Sequence, residues 1–314
     1  MKIVLTGATG FVGGHLYRSL LHHDVHVIGR SKPSETLDSH FFQALIEKNI
    51  DFSNVLLSTD ILIHCAARAH VMKDEEADPL HTYREVNTAG TLNLAHQAAL
   101  AGVKRFIFIS SIKVNGETTN SSSPFSEQDL PAPQDPYGVS KMEAEAGLRL
   151  IAEETGMEVV IIRPPLVYGP GVKANFLSLI KLARMKIPLP FGGIKNARSM
   201  IYVDNLVDFI ICCIDNPAAK NQTFLISDGK DLSLSDLLIL MRRAMGKSPS
   251  LFPVPIILFK IAGAVTGKRA FVERLFGSLQ VDSTKAHELL GWKPPYTVEQ
   301  GIQNTIDSFC ESNK

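Results

Sequence analysis

Lys2-Ile3-Val4-Leu5-Thr6-Gly7-Ala8-Thr9-Gly10-Phe11-Val12-Gly13 is the stretch on which the fold turns. A strand-length apolar run passes straight into glycines spaced by three and three. Gly7 permits a tight turn, Gly10 lets backbone approach a pyrophosphate, and Gly13 lets the next helix lie close to the sheet. A helix starting there turns its free N–H groups and positive dipole end towards phosphates. Strand, glycine turn and helix in immediate succession separate a dinucleotide site from an ordinary glycine-rich turn.

Outward from this turn, two periodicities alternate. Short apolar runs at 25–28, 61–64, 105–109 and 159–163 have strand length, and helical spacing fills 11–23, 86–101 and 137–154. The alternation predicts an α/β fold, a Rossmann-type doubly wound parallel sheet with right-handed crossovers. Residues 117–136, rich in Ser, Pro, Asp and Glu, read as a long loop, and loops of that length usually serve a site. After Gly171 the alternation weakens and helical patterns at 174–185 and 234–245 dominate. We therefore expect a nucleotide-binding domain over 1–165 and a smaller substrate domain over 166–314. The run 223–226 is placed to return as a strand of the first sheet, so the two domains interleave, with about 200–227 joining the first.

The whole chain of 314 residues is 45% apolar and 20% charged, the balance of a globular protein with a full core. Lys+Arg and Asp+Glu are both 32, which leaves no basic surplus for a nucleic-acid partner. Four cysteines without a C-x-x-C pair argue against a disulfide scaffold or zinc module and fit a reducing compartment. His22, His23 and His26 lack converging partners in the sequence, and no metal site is expected from them. Met1-Lys2 leads directly into the first strand, so no signal peptide is expected. The apolar run 251–265 carries Pro253, Pro255 and Lys260 and is too short to span a bilayer. A cytoplasmic location is the default. Asp74-Glu75-Glu76 reads as a solvated loop or helix start, and Ser121–Ser123 as plain loop.

Two further stretches carry chemistry. The second strand ends at Gly29-Arg30-Ser31, where an NAD-specific fold usually places Asp or Glu for the ribose 2′-hydroxyl. A cation and a hydroxyl suit a 2′-phosphate instead, and NADP(H) is favoured over NAD(H) on that basis. Tyr137-Gly138-Val139-Ser140-Lys141 sets Tyr and Lys four apart at a helix start, hence on one face. A neighbouring ammonium stabilises a phenolate, which would make Tyr137 an acid/base near neutral pH. Ser110-Ser111 closes the strand 105–109 at its carboxyl end, where ligands sit in open α/β sheets.

Together with ILIHCAA, VNTAGTLNL, RPPLVYGPG, RSMIYVDNL (198–206) and LGWKPP (290–295), these pieces follow one another in a familiar order. The chain resembles the extended short-chain dehydrogenase/reductases, in the nucleotide-sugar (UDP-sugar) epimerase and 4-reductase branch of bacterial surface-polysaccharide pathways. The resemblance implies roles for particular residues. Tyr137 would be the acid/base, Lys141 would lower its pKa and bind the nicotinamide ribose, and Ser111 would match the family's Ser/Thr. Gly7, Thr9, Gly10, Phe11, Val12 and Gly13 would form the phosphate turn, with Arg30 and Ser31 at the ribose. Asp51 resembles the acid that contacts the adenine amine, Ala66 and Ala67 would line the groove, Asn87 would steady the site, and Pro164 closes the cofactor set. Asn175, Arg198 and Arg274 would meet the substrate diphosphate, beside Ser111 and Tyr137. A homodimer is the family's habit. Asn115 departs from the family's usual Tyr in V-Y-G, and Arg30 from its acid.

Three functions compete. The favoured expectation is NAD(P)H-dependent reduction of the C4 ketone of a UDP-linked (N-acetyl) deoxyhexosulose. The alternative is 4-epimerisation of a UDP-hexose or UDP-N-acetylhexosamine with bound NAD. A non-catalytic dinucleotide sensor is the third, and the intact Tyr137, Lys141 and Ser111 set argues against it.

Overall fold

A computed structural model describes residues 1–69, 78–120, 123–267 and 269–312, so Asp74–Glu76 and Ser121–Ser122 lie outside the described residues. Seven parallel strands form the central sheet: β1 (Lys2–Thr6), β2 (Asp24–Gly29), β3 (Phe41–Gln43), β4 (Ile61–His64), β5 (Arg105–Ile109), β6 (Glu158–Arg163) and, after three strands outside it, β10 (Thr223–Leu225). Their order is β10-β6-β5-β4-β1-β2-β3. The chain winds from β1 through β2 to β3 on one side, then returns to β4 on the other flank of β1. That reversal opens a crevice outside the carboxyl ends of β1 and β4, where ligands of such sheets bind.

Both faces of the sheet are covered, so its inner strands are apolar throughout rather than alternating. Ile3 and Leu5 of β1 face one core with Leu16, Phe209 and Ile210, while Val4 faces the other with Leu94, Phe106, Ala144 and Leu148. The first core packs helices Phe11–Ser19 and Val203–Asp215 against the sheet; the second packs Thr91–Leu100 and Pro136–Thr155. The expected return of the chain to the first sheet is β10, which pairs in parallel with β6, Thr223 opposite Ile161.

A third core gathers Tyr168, Phe176, Ile180, Tyr202, Leu238 and Ile302. Two small parallel pairs frame it, β7 (Leu166–Tyr168) with β9 (Met200–Tyr202) and β8 (Leu189–Gly192) with β11 (Leu251–Pro253). The buried Asp228 carboxylate ties this region together, accepting from Tyr168 Oη at 2.7 Å, Asn205 Nδ2 at 2.7 Å and Tyr202 N at 2.9 Å. The apolar run 251–265 divides at its prolines into β11 and the helix Ile256–Val265. Among the described residues no helix is long and apolar enough to cross a membrane.

Candidate active site

Register places Thr6 opposite His64 at the ends of β1 and β4, so the glycine turn and the segment after β4 meet at the crevice. Gly7 sits at φ +75°, and a Cβ there would come 2.7 Å from Ala66 N. A Cβ on Gly13 would lie 2.2 Å from Gly7 O, so only glycine allows the helix this close to the turn. Gly10 N donates to Gly7 O at 2.8 Å. Thr9 and Gly10 are exposed and no side chain caps helix Phe11–Ser19, which leaves its first N–H groups for a phosphate. The residues present therefore fit a dinucleotide.

Thr6 and His64 lock the floor of the crevice. Thr6 Oγ1 accepts from Ala66 N at 3.1 Å and pairs with His64 Nδ1 at 2.7 Å, while His64 Nε2 meets Thr91 Oγ1 at 2.9 Å. Burial, reinforced by Lys141, pushes the His64 imidazole down to about 3, so it is neutral.

Asp135 starts the helix that carries the acid/base pair. Its Oδ1 accepts from Gly138 N at 2.7 Å, its other oxygen holds Lys113, and Pro136 fills the first helical position. Lys141 is 1% exposed; its Nζ donates to Ile109 O at 2.9 Å and lies 4.3 Å from the centre of the Phe108 ring. Burial brings its pKa down to about 8, against the opposing pull of Cys65 and Glu145. Half-buried Tyr137 packs edge-on to Tyr83, ring centres 6.2 Å apart. Burial first, then Asp135 and Tyr83, push its phenol above the ordinary value. The lowering expected from Lys141 is thus not realised, because the ammonium is turned to the Ile109 carbonyl.

Ser111 caps the short turn Ile112–Val114, its Oγ accepting from Lys113 N at 3.3 Å. A Cβ on Gly138 would meet Lys113 O at 2.8 Å, so helix Pro136–Thr155 rests directly on the turn that carries Ser111. Tyr137, Lys141 and Ser111 are in this way gathered at the carboxyl end of β5. Asn87 steadies the same corner: its Nδ2 donates to Ser140 Oγ at 3.0 Å and Arg68 O at 3.1 Å, and its Oδ1 accepts from Arg68 N at 2.8 Å. It lies in a π-helical stretch, Arg84–Gly90, where the sequence pattern predicts plain α-helix.

The remaining expected residues divide. Arg198 Nη1 donates to Arg274 O at 2.6 Å, and Arg274 lies 3.7 Å from Glu117, whose other oxygen takes Lys113 Nζ at 3.4 Å. Two arginines from distant parts of the chain thus adjoin the loop beside Ser111. Burial, then Arg274, lowers the Arg198 guanidinium pKa. Pro164 is buried, and its carbonyl accepts from Ile112 N at 3.0 Å. Ala66 and Ala67 are half-buried along the crevice. Arg30 and Ser31 are exposed past the end of β2, and Gln43 Nε2 bonds the Arg30 carbonyl at 3.3 Å. Asp51 is exposed and accepts from Ser53 N at 2.9 Å. Asn175 is exposed in the first turn of helix Ala174–Arg184.

Sequence reasoning missed the network beneath the site. Arg163 Nη2 and Nε bond the two Glu145 oxygens at 2.6 and 2.9 Å, Ser110 Oγ donates to Glu145 at 2.6 Å, and Arg163 Nη1 reaches Asn115 Oδ1 at 2.9 Å. Asn115, the departure from V-Y-G, is 2% exposed and donates to Ser126 O at 2.8 Å. It anchors the long loop instead of bordering a pocket. A signal for Glu145 existed: Tyr137, Lys141 and Glu145 stand at i, i+4 and i+8 on one helix face.

A glycine-turn nucleotide fold with Tyr, Lys and Ser gathered at its switch point defines a dinucleotide-dependent oxidoreductase-type enzyme. The model of the NAD dependent epimerase/dehydratase family matches residues 3–227, and the chain belongs to that family. It is 51% identical to the UDP-glucose 4-epimerase of Vibrio cholerae, over 99% of this chain and 96% of that protein. It is 29% identical to the N-acetyl-alpha-D-glucosaminyl-diphospho-ditrans,octacis-undecaprenol 4-epimerase of Escherichia coli O157:H7, over 100% and 97%. The solved UDP-glucuronic acid 4-epimerase of Bacillus cereus, in complex with UDP-glucuronic acid and NAD, superposes with a TM-score of 0.78 at 26% identity, covering 99% and 100% of the two chains.

Proposed function

We propose that the protein is a 4-epimerase of a UDP-sugar, in place of the reductase that Arg30 suggested. The similarity to a UDP-glucose 4-epimerase along nearly the whole chain carries this reading, because it extends through both the nucleotide crevice and the Arg198/Arg274 region. Tyr137 takes the proton of the sugar C4 hydroxyl and returns it, and Ser111 holds the same oxygen by a hydrogen bond. Lys141 orients the nicotinamide ribose, and the glycine turn with helix Phe11–Ser19 holds the pyrophosphate. Arg198 and Arg274 pair with the substrate diphosphate, where a guanidinium can engage two oxygens at once.

When bound, NAD supplies the hydride acceptor and donor at C4 and is not consumed. That cycle favours NAD over the NADP(H) expected from the second strand. Exposed Arg30 then borders the adenosine ribose without selecting a 2′-phosphate. A place in surface-polysaccharide sugar supply, in the cytoplasm and as a homodimer, belongs to the same proposal.

Tyr137→Phe tests the assignment of the acid/base. Its kcat for C4 inversion should fall by about 10²–10⁴-fold, while dinucleotide binding, followed by nicotinamide fluorescence titration, stays within about twofold. A fully active Phe variant would remove Tyr137 from the chemistry.

A further inference from the structure

The helix Ile256–Val265 (IILFKIAGAV) is apolar but for Lys260, yet only one side of it is covered. At 100° per residue, Phe259 and Gly263 fall on one face. Phe259 stacks on Phe191 with ring centres 5.4 Å apart and meets Phe276 at 5.0 Å, and Gly263 is buried. The opposite face holds Ile257, Leu258, Ile261 and Val265, exposed by 59%, 54%, 54% and 82%. Large exposed apolar stripes mark an interaction surface. Lys260 is exposed at the border between the two faces.

Charge identifies the occupant. Between Asp236 and Glu273 the chain has no acidic residue, while it carries Arg242, Arg243, Lys247, Lys260, Lys268 and Arg269. Arg242 is buried and Arg269 pairs with Glu273 at 2.9 Å, so Arg243, Lys247 and Lys260 carry the charge. The whole protein has equal numbers of each sign, so this is a local concentration of positive charge. Arg242 is buried among carbonyls: its Nη2 reaches Met185 O at 2.9 Å and Ile187 O at 2.6 Å, and its Nη1 reaches Ser250 O at 3.1 Å. Those bonds draw the segment before β8 beside β11, and it adds exposed Met185 and Ile187 flanked by exposed Arg184 and Lys186. An apolar stripe bordered by Lys260, with Arg184 and Lys186 nearby, suits the headgroup boundary of an anionic bilayer. At ten residues the helix is about 15 Å long, half the hydrocarbon thickness, so it lies on the surface and does not span.

We propose that the helix Ile256–Val265 docks the protein reversibly on an anionic lipid bilayer, its Ile257/Leu258/Ile261/Val265 stripe in the headgroup boundary and Lys260 among the phosphates. The following helix, Arg269–Phe276, carries Arg274, and Phe259 packs on Phe276. Docking therefore sets the Arg198/Arg274 pair close to the membrane face. The inference does not depend on which sugar the site takes, since it is read without turnover.

The full chain is tested by flotation with vesicles of phosphatidylethanolamine and phosphatidylglycerol in about a three-to-one ratio. The protein should rise with these vesicles, bind phosphatidylcholine vesicles at least about tenfold more weakly, and be released by salt of about 0.5 M. Ile257→Ser with Ile261→Ser should weaken binding by at least about tenfold. Lys260→Glu, which leaves every apolar side chain in place, should also weaken it. Both variants should retain wild-type thermal unfolding and wild-type activity on a soluble UDP-sugar. Failure to float, or flotation unchanged in both variants, overturns the proposal. So does a vesicle-independent dimer that Ile257→Ser with Ile261→Ser disrupts, which would assign the stripe to a second copy of the chain.

Discussion

Tyr137 and Lys141 share a helix face, and for each burial is the largest effect and pushes it towards its neutral form. The phenolate that must take the C4 hydroxyl proton is therefore the minority form of Tyr137 at neutral pH, and a lysine near 8 keeps its charge through neutral pH and loses it above. His64 is a sharper case. Its imidazole is held neutral between two threonines, with a pKa of about 3 against an ordinary 6.5. Between those values the unfolded chain binds a proton that the folded protein declines, so stability falls as pH drops from 6.5 towards 3. The contribution is about 1.4 kcal/mol per pH unit across that window and is absent above it. His64→Asn removes the titration, so its unfolding free energy in urea should depend less steeply on pH between 4 and 6 than the wild type's by that amount. Equal slopes would contradict a neutral buried His64.

At the level of elements, the helix Pro136–Thr155 is fixed by its ends and its underside. Asp135 and Pro136 begin it, Gly156 at φ +77° ends it, and Glu145 clamps it to β6 through Arg163. Glu145 and Arg163 are 1% and 2% exposed. Removing Arg163 leaves the buried Glu145 carboxylate with only Arg149 Nη2 at 2.9 Å and Ser110 Oγ, so Arg163→Met should cost up to about 3 kcal/mol in urea unfolding, and adding Glu145→Gln should recover part of that. A loss below about 1 kcal/mol would mean that Arg149 alone holds Glu145. These elements also show where the sequence is readable. β1, β2, β4, β5, β6 and β10 stand out because strands buried on both faces are apolar runs. β3, three residues at the sheet edge, is fixed by pairing with β2 and leaves no pattern. The π-helical Arg84–Gly90 is equally silent, since an i→i+5 turn disturbs no apolar spacing that a short segment could reveal. The glycine turn and Tyr137–Lys141 were legible because their chemistry is local. The approach of Arg198 to Arg274 and the Asn115–Arg163–Glu145 network depend on contacts between residues far apart in the chain.

Over the whole molecule, the sheet's switch point brings Gly7, Ala66 and the β5 end into one crevice, and the third core sets two arginines beside it. The returning strand β10 ties the far half of the chain to that sheet, so the glycine turn and the Arg198/Arg274 region are built on one frame. Such a frame serves reduction and epimerisation alike, and the two differ in whether the dinucleotide is spent. The most direct measurement is proton NMR of UDP-glucose incubated with the purified protein, without added dinucleotide and then with NADPH. Growth of the UDP-galactose anomeric signal to a constant ratio, with no loss of NADPH absorbance, is the predicted result. Spectra of UDP-glucose and UDP-N-acetylglucosamine that both stay unchanged, or stoichiometric NADPH consumption with a UDP-4-keto-6-deoxyhexosamine, would contradict the epimerase account.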